Sequence, residues 1–202
     1  MDAHDSIHNI NTVSDLIGAT EAFRNEEYRH SHIRVWYRGQ GSANWPLEPF
    51  VYRKGFARNE DERKTRERHL TQDFLALSAP ILGRELTDID IYVIQQHYRM
   101  PTRFLDWTLN PLVALFFALE RAEEDGSLFI LDAYAFARQR GLCTPRSIEL
   151  KRAMMAIFEW RDVDDHRKSL WPDTILAVRP FNIDPRIAAQ RGCFTFHPPK
   201  TA

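Results

Sequence analysis

Apolar positions along the chain recur first at helical spacing, then alternate, then return to helical spacing, and each change of period marks a boundary. After Val13 the pattern predicts a short helix, capped by Ser14 or Asp15 and running through Glu21, Ala22 and Phe23. That helix closes a lead-in, residues 1–30, ahead of a main domain at residues 31–202. HIRVWY, His32 to Tyr37, alternates with β-branched and aromatic members and runs into Gly39, Gly41 and Ser42, as a strand entering a turn does. Charges crowd from Asn59 to Lys64. Beyond them Leu70, Phe74 and Leu77 predict an amphipathic helix over Thr65–Leu77 with a wet opposite face. A second helix is expected over Asp88–Tyr98 and is stopped by Pro101, because the residue before a proline leaves the α region. Asn110 and Pro111 are a cap followed by a first-turn proline. Leu112–Leu119 is then so apolar that the helix should be buried on most of its circumference.

Asp125 and Gly126 predict a turn and SLFILDAYAF a strand, whereas Arg138–Lys168 is charged and carries only one helix-like patch, MMAIF. Asp173–Val178 reads as a further strand. Asp184 and Pro185 start a helix at RIAAQ, Gly192 supplies a left-handed stop, and CFTFH alternates as a last strand. Mixed periods without an internal repeat give a single α+β domain, with a mixed or mostly antiparallel sheet flanked by helices.

Composition narrows the function classes. Apolar residues make up 44% of the 202 residues and charged residues 27%, a balance that folds rather than stays disordered. A formal net charge of -1 provides no global field for nucleic acid or an anionic membrane, so any phosphate contact has to be local. Cys143 and Cys193 give neither a disulfide framework nor zinc-ligand spacing and are expected to be ordinary reduced thiols. The opening MDAHDSIHNINTVSDL lacks a secretory pattern, and no apolar run approaches about 18 residues, so a cytoplasmic protein that does not engage a membrane is expected. Glu159, Asp162, Asp164 and Asp165 lack the spacing of a calcium loop, and no metal site is expected.

Three groups of residues carry potential chemistry. Arg38, with Gly39 and Gln40, ends the first strand, where a guanidinium beside glycine backbone can hold a phosphate or carboxylate in bidentate fashion; the plainer alternative is an ion pair at the core edge. His97, Thr102, Arg103, Asp106, Trp107 and Asn110 fall in the loop expected between two helices, a common place for binding groups. Their plain alternatives are an Arg103–Asp106 pair, a capping Asn110 and a core Trp107. Arg186, Gln190, Thr195 and His197 form the third group; Gln190 and Thr195 can orient a ligand but not act as a general base.

Taken together, WYRGQ (Trp36–Gln40), QHYRMPTRFLDWTLNPLVALFFA (Gln96–Ala118) and RIAAQRGCFTFH (Arg186–His197) resemble the FRG domain, a family named for a Phe-Arg-Gly motif. Tyr37 stands here for the phenylalanine, and Arg99 for the glycine that usually follows the His-Tyr pair. The resemblance implies bacterial and phage-associated proteins acting in defence or as toxins. The first motif is also similar to the aromatic-Arg-Gly strand of arginine-type ADP-ribosyltransferases. That resemblance implies NAD as substrate and a macromolecular target, protein or nucleic acid. Arg38 with Gly39 and Gln40 then holds the dinucleotide. His97 and the TRFLDWT stretch, with Thr102, Arg103, Asp106, Trp107 and Thr108, surround its nicotinamide end. Arg38, Asp106 and Gln190 become the catalytic candidates, but Gln190 stands where such transferases use a late glutamate. A transferase, a glycohydrolase and a pure binder therefore stay open. The rival classes are a non-catalytic module sensing a nucleotide or phage component and, last, a nuclease using His97, Arg103 and Asp106.

Overall fold

The computed structural model describes residues 9–25, 34–78, 86–120, 123–141, 148–179 and 192–199; Cys143 and the expected helix at Arg186–Gln190 lie outside them. In chain order the elements are α1 (Val13–Asn25), β1 (Val35–Gln40), a single 3-10 turn (Phe50–Tyr52), α2 (Glu60–Ser78), α3 (Asp88–His97), β2 (Phe104–Thr108), α4 (Pro111–Leu119), β3 (Ser127–Asp132), α5 (Ala133–Arg138), α6 (Ile148–Phe158), β4 (Leu176–Val178) and β5 (Gly192–Phe196). The strands form one sheet in the order β3-β1-β2-β5-β4, with every pairing antiparallel, as expected of an α+β fold.

Local chemistry accounts for the helix starts. Thr12, rather than Ser14 or Asp15, caps α1: its hydroxyl accepts from Asp15 N at 3.1 Å while the Asp15 carboxylate accepts from Thr12 N at 2.8 Å. Thr87 and Asp90 form the same reciprocal pair at the start of α3. Asn110 caps α4 through Leu112 N at 3.0 Å, with Pro111 in the first turn, as the sequence predicts. SLFILDAYAF, expected as one strand, divides at Asp132, whose carboxylate accepts from Tyr134 N and Ala135 N and turns the second half into α5. The unassigned Arg138–Lys168 segment supplies α6, with Met154, Ala156 and Ile157 buried. Gly192, expected as a stop, is the first residue of β5.

Register decides what each face of the sheet does. Tyr37 lies opposite Thr108, and Asp106 opposite Phe194, so Val35, Tyr37, Phe104, Asp106, Thr108, Phe194 and Phe196 share one face. Over its β3–β1 half, Val35, Tyr37, Leu128 and Ile130 pack with Ala114 of α4 and Phe23 of α1. Over its β5–β4 half, Phe104, Phe194, Phe196 and Leu176 pack with α3 and α6. The far face carries Trp36, Leu105, Trp107, Ala177 and Cys193 against Leu47, Ala133 and Phe136. Burial there pushes the Cys193 thiol well above its ordinary range, leaving it protonated.

How α4 meets the sheet departs from the expectation that its circumference would be buried. A Cβ on Gly39 would stand 1.8 Å from Ala114 O, and one on Gly126 would stand 2.6 Å from Ala118 O. The helix backbone therefore lies directly on β1, with only Ala114 and Ala118 buried. Seating α4 by its alanine edge turns its large side chains outward: Leu112, Phe116 and Leu119 are 51%, 57% and 63% exposed. Gly39 thus admits the close approach of a helix. Gly39→Ala is expected to cost at least about 3 kcal/mol in urea unfolding, the upper range for overpacking. Phe116→Ala should stay within about 0.5 kcal/mol of the parent, as an exposed position does; a loss several times larger would mean that the ring is packed.

Candidate functional site

Between α3 and α4 the sheet face is left uncovered, and a cavity of about 720 Å³ opens over it. Its floor includes Tyr37, Asp106, Thr108, Gly192 and Phe194; one wall is Gln96, His97 and Arg99 at the end of α3, and another is Val113, Ala114 and Phe117 of α4. The loop after β1 completes the rim with Trp45, Pro46, Glu48, Arg53 and Lys54. A volume of this size suits a ligand of nucleotide dimensions.

Asp106 belongs to β2, not to the loop expected between α3 and α4. Both of its neighbours are buried while it is exposed, so the strand shows no simple alternation with solvent. Its carboxylate accepts from Gln96 Nε2 at 2.8 Å, and Thr102, itself fully buried, donates its hydroxyl to Gln96 Oε1. Thr102 thus fixes which end of the Gln96 amide faces Asp106, and Gln96 orients the carboxylate. Thr102 serves the cavity from behind its wall.

Arg38 by alternation belongs with Trp36 on the far face, yet its guanidinium reaches the seam between β1 and β2. There Nη1 donates to Asp106 O at 2.7 Å, and Nε donates to Gln40 Oε1 at 3.2 Å. Gln40 Nε2 in turn donates to Trp45 O at 2.9 Å, holding the rim loop. Desolvation lowers the Arg38 pKa, with the Asp106 charge opposing and the Arg53 charge adding to the effect. The strand-end arginine is thus a cavity residue that also bridges the two central strands.

Of the other expected site residues, Gly39, Gln40, His97 and Thr108 line the cavity. Trp107 touches it but is largely a core ring, its indole N–H donating to Thr195 Oγ1 at 3.0 Å; Thr195 in turn lies 3.0 Å from His197 Nε2. Arg103, expected at the cofactor, does not line the cavity. It is 0% exposed, with Nε 2.7 Å from Glu67 Oε2 and Nη2 3.0 Å from Glu60 Oε1. Tyr52 accepts from its Nη1, the Trp171 ring lies 4.5 Å from its guanidinium carbon, and its backbone N–H donates to Tyr92 OH at 2.8 Å. Tyr92 in turn donates its hydroxyl to Glu67 Oε1. The face of α2 expected to be wet therefore buries Glu67, Arg68 and Thr71, while Leu77 is exposed. Gln190 and Arg186 lie outside the described residues.

Sequence reading missed Gln96, Trp45, Arg53, Lys54 and Phe117 as cavity residues and took Arg99 only as a departure at a glycine position. Gln96 lies in the same motif as the titratable His97, but a neutral amide carries no signal of chemistry along the sequence. Arg53 and Lys54 sit in a stretch without periodicity, so only the chain's path brings them to the rim. Among the lining residues four cations, Arg38, Arg53, Lys54 and Arg99, face two carboxylates, Glu48 and Asp106, a net of +2 with His97 neutral. The overall charge of -1 conceals this local field.

The structure is thus an α+β domain with a charged, aromatic-rimmed cleft on the open half of its sheet. Residues 33–127 match the family described as FRG domain. The match runs from the approach to β1 through α4 to the first residue of β3, so it supplies most of the cavity; β5 and the Arg186–His197 motif lie beyond it. No curated protein and no solved structure matches the chain. No described helix is long and apolar enough to cross a membrane.

Glu67→Gln tests whether Arg103 is structural. Leaving a buried guanidinium without its closest charge should cost about 3–5 kcal/mol in urea unfolding. A cost below about 1 kcal/mol would show that the network does not hold the frame.

Proposed function

We propose that this cavity binds NAD and that the protein is an ADP-ribosyltransferase-like enzyme acting on a macromolecule. The observation that carries the reading is the joining of Arg38 and Asp106, which come from different strands, at one cavity, with the carboxylate oriented by Gln96. A cavity of about 720 Å³ with a net positive lining, the rings of Trp45 and Phe117 at its edge and Tyr37 in its floor suits a dinucleotide, which offers phosphates and flat bases together.

In the proposed reaction the bond between nicotinamide nitrogen and ribose C1′ breaks. Nicotinamide leaves with the electron pair and becomes neutral, and positive charge develops on the ribose. Asp106, held by one oxygen to Gln96, has its other oxygen available to stabilise that charge and to take the proton of the attacking group. An O–H or N–H of the target gives transfer, and water gives hydrolysis. Arg38 contributes its fixed charge and the Nη2 edge, since Nε and Nη1 are already engaged. Gln190 keeps its proposed orienting role on sequence grounds alone.

A second reading, a sensor that binds a nucleotide without chemistry, is favoured by the same engagement of Arg38, which makes the site pre-formed. The two are separated by Asp106→Asn, which keeps size and the bond from Gln96 but removes the charge. Incubated with labelled NAD and cell lysate, the variant should lose at least about 100-fold in nicotinamide release and label transfer, with NAD binding by calorimetry and the melting temperature retained. Release by the parent without transfer would indicate a glycohydrolase. Binding without release would support the sensor, and no NAD binding by the parent would end the NAD reading.

A further inference from the structure

The end of α3 holds a residue in a backbone conformation that a side chain disfavours. Arg99 has φ 61, the left-handed region that glycine occupies without penalty, and its N–H closes the helix end onto Gln96 O at 3.0 Å. Backbone strain of this kind clusters at functional sites, and of the three non-glycine residues that carry it, Arg99, Trp160 and Arg167, only Arg99 lines the cavity. Arg99 is exposed, lines the cavity, and its side chain has no hydrogen bond or ion pair among the described residues. Across the same opening, Arg53 and Lys54 are also exposed, and neither ion-pairs with a carboxylate among the described residues. Some surface cations of this protein find acids, as Arg58 and Arg66 do with Glu62. Others, Arg138, Lys151, Arg167 and Lys168, are exposed without an ion pair among the described residues, so what sets the rim apart is the convergence of its cations on one cavity. Three uncompensated cations on two separate segments around one cavity make an anion-binding rim.

We infer that Arg99, with Arg53 and Lys54, forms the phosphate clamp of the cavity, taking the diphosphate of a nucleotide ligand, while Arg38 is a framing residue beneath it. Arg38 spends Nε and Nη1 on Gln40 and on the Asp106 carbonyl, so its guanidinium keeps one edge at most for a ligand. Arg99, by contrast, lines the cavity with its whole fork of donors unengaged among the described residues, and such a fork suits bidentate contact with phosphate oxygens. The nucleotide identity of the ligand rests on the function proposed above; the clamp itself rests on the strain, the exposure and the uncompensated charge.

The test uses the full chain and its Arg99→Gly and Arg53→Gln variants, with ADP, adenosine and inorganic pyrophosphate as probes in calorimetry. The parent should bind ADP at least about tenfold more tightly than adenosine, and each variant should lose about tenfold for ADP while adenosine affinity stays level. Arg99→Gly should also raise the melting temperature by about 2–4 °C, because glycine relieves the backbone. Weaker ADP binding in a more stable protein separates a ligand contact from a structural role. ADP binding that is unaltered by both substitutions would overturn the clamp and leave the nucleotide reading standing. Arg99-dependent binding of pyrophosphate, with ADP binding no tighter, would keep the clamp and end the nucleotide reading. A fall in melting temperature on Arg99→Gly together with lost binding, or no binding of any probe by the parent, would overturn the clamp.

Discussion

The buried pair of Arg103 and Glu67 is the constraint on which the rest of the structure depends. A guanidinium with no exposure is tolerated only if its donors are matched, since an uncompensated buried charge costs several kcal/mol. Here the matching groups come from distant parts of the chain: Tyr52 on the 3-10 turn, Glu60 and Glu67 on α2, Tyr92 on α3 and the ring of Trp171. Tyr52 also donates to Pro198 O, and His197 N donates to Arg103 O at 3.0 Å, tying in the chain beyond β5. Few other positions of α2 and α3 would satisfy all of these bonds at once. Arg103 immediately precedes β2, so the same bonds set where Asp106 and Gln96 stand.

The opposite wall is fixed by a different kind of force. Around Gly39 and Gly126 the limit is steric: no Cβ fits beneath Ala114 and Ala118, so α4 lies at a distance that only small residues allow. One wall is thus held by matched charge and the other by close packing, with the floor of β2 between them. The cleft is the space left where neither helix can move inward. Arg38 spans the seam at that floor, where β1 and β2 pair at Tyr37 and Thr108 while β1 and β3 pair along all of β1. Its bond to the Asp106 carbonyl holds the two central strands together where the cavity meets them.

What was legible in the sequence was local. Asn110 and Pro111, Pro101, and the strand beginning before Tyr37 act within a turn or two, and each appears near its expected place. Arg99 at a glycine position was legible too, because a left-handed φ is a demand made by the backbone of one residue. FLDWT was read as loop because its one outward residue, Asp106, faces a cavity instead of bulk water, so no alternating signal arises. Glu67 looked wet because its partner lies 36 residues away. In α4 the long apolar side chains drew the inference of burial, while the alanines decided the contact. In each case the missing information was a long-range partner, which spacing along the chain does not contain.

Charge at the site follows the same logic. With the whole chain at -1, the cavity's +2 arises from side chains of β1, the following loop and the α3 end converging, so its field is a product of folding rather than of composition. At physiological ionic strength that field reaches about 8 Å before screening takes over. It therefore selects an anion already at the mouth and does not gather one from a distance. A glycine at position 99 would relax the backbone and halve the net charge of the cavity. On the clamp inferred above, the arginine exchanges some stability of one helix end for charge at the mouth, the kind of exchange that strained residues at functional sites make.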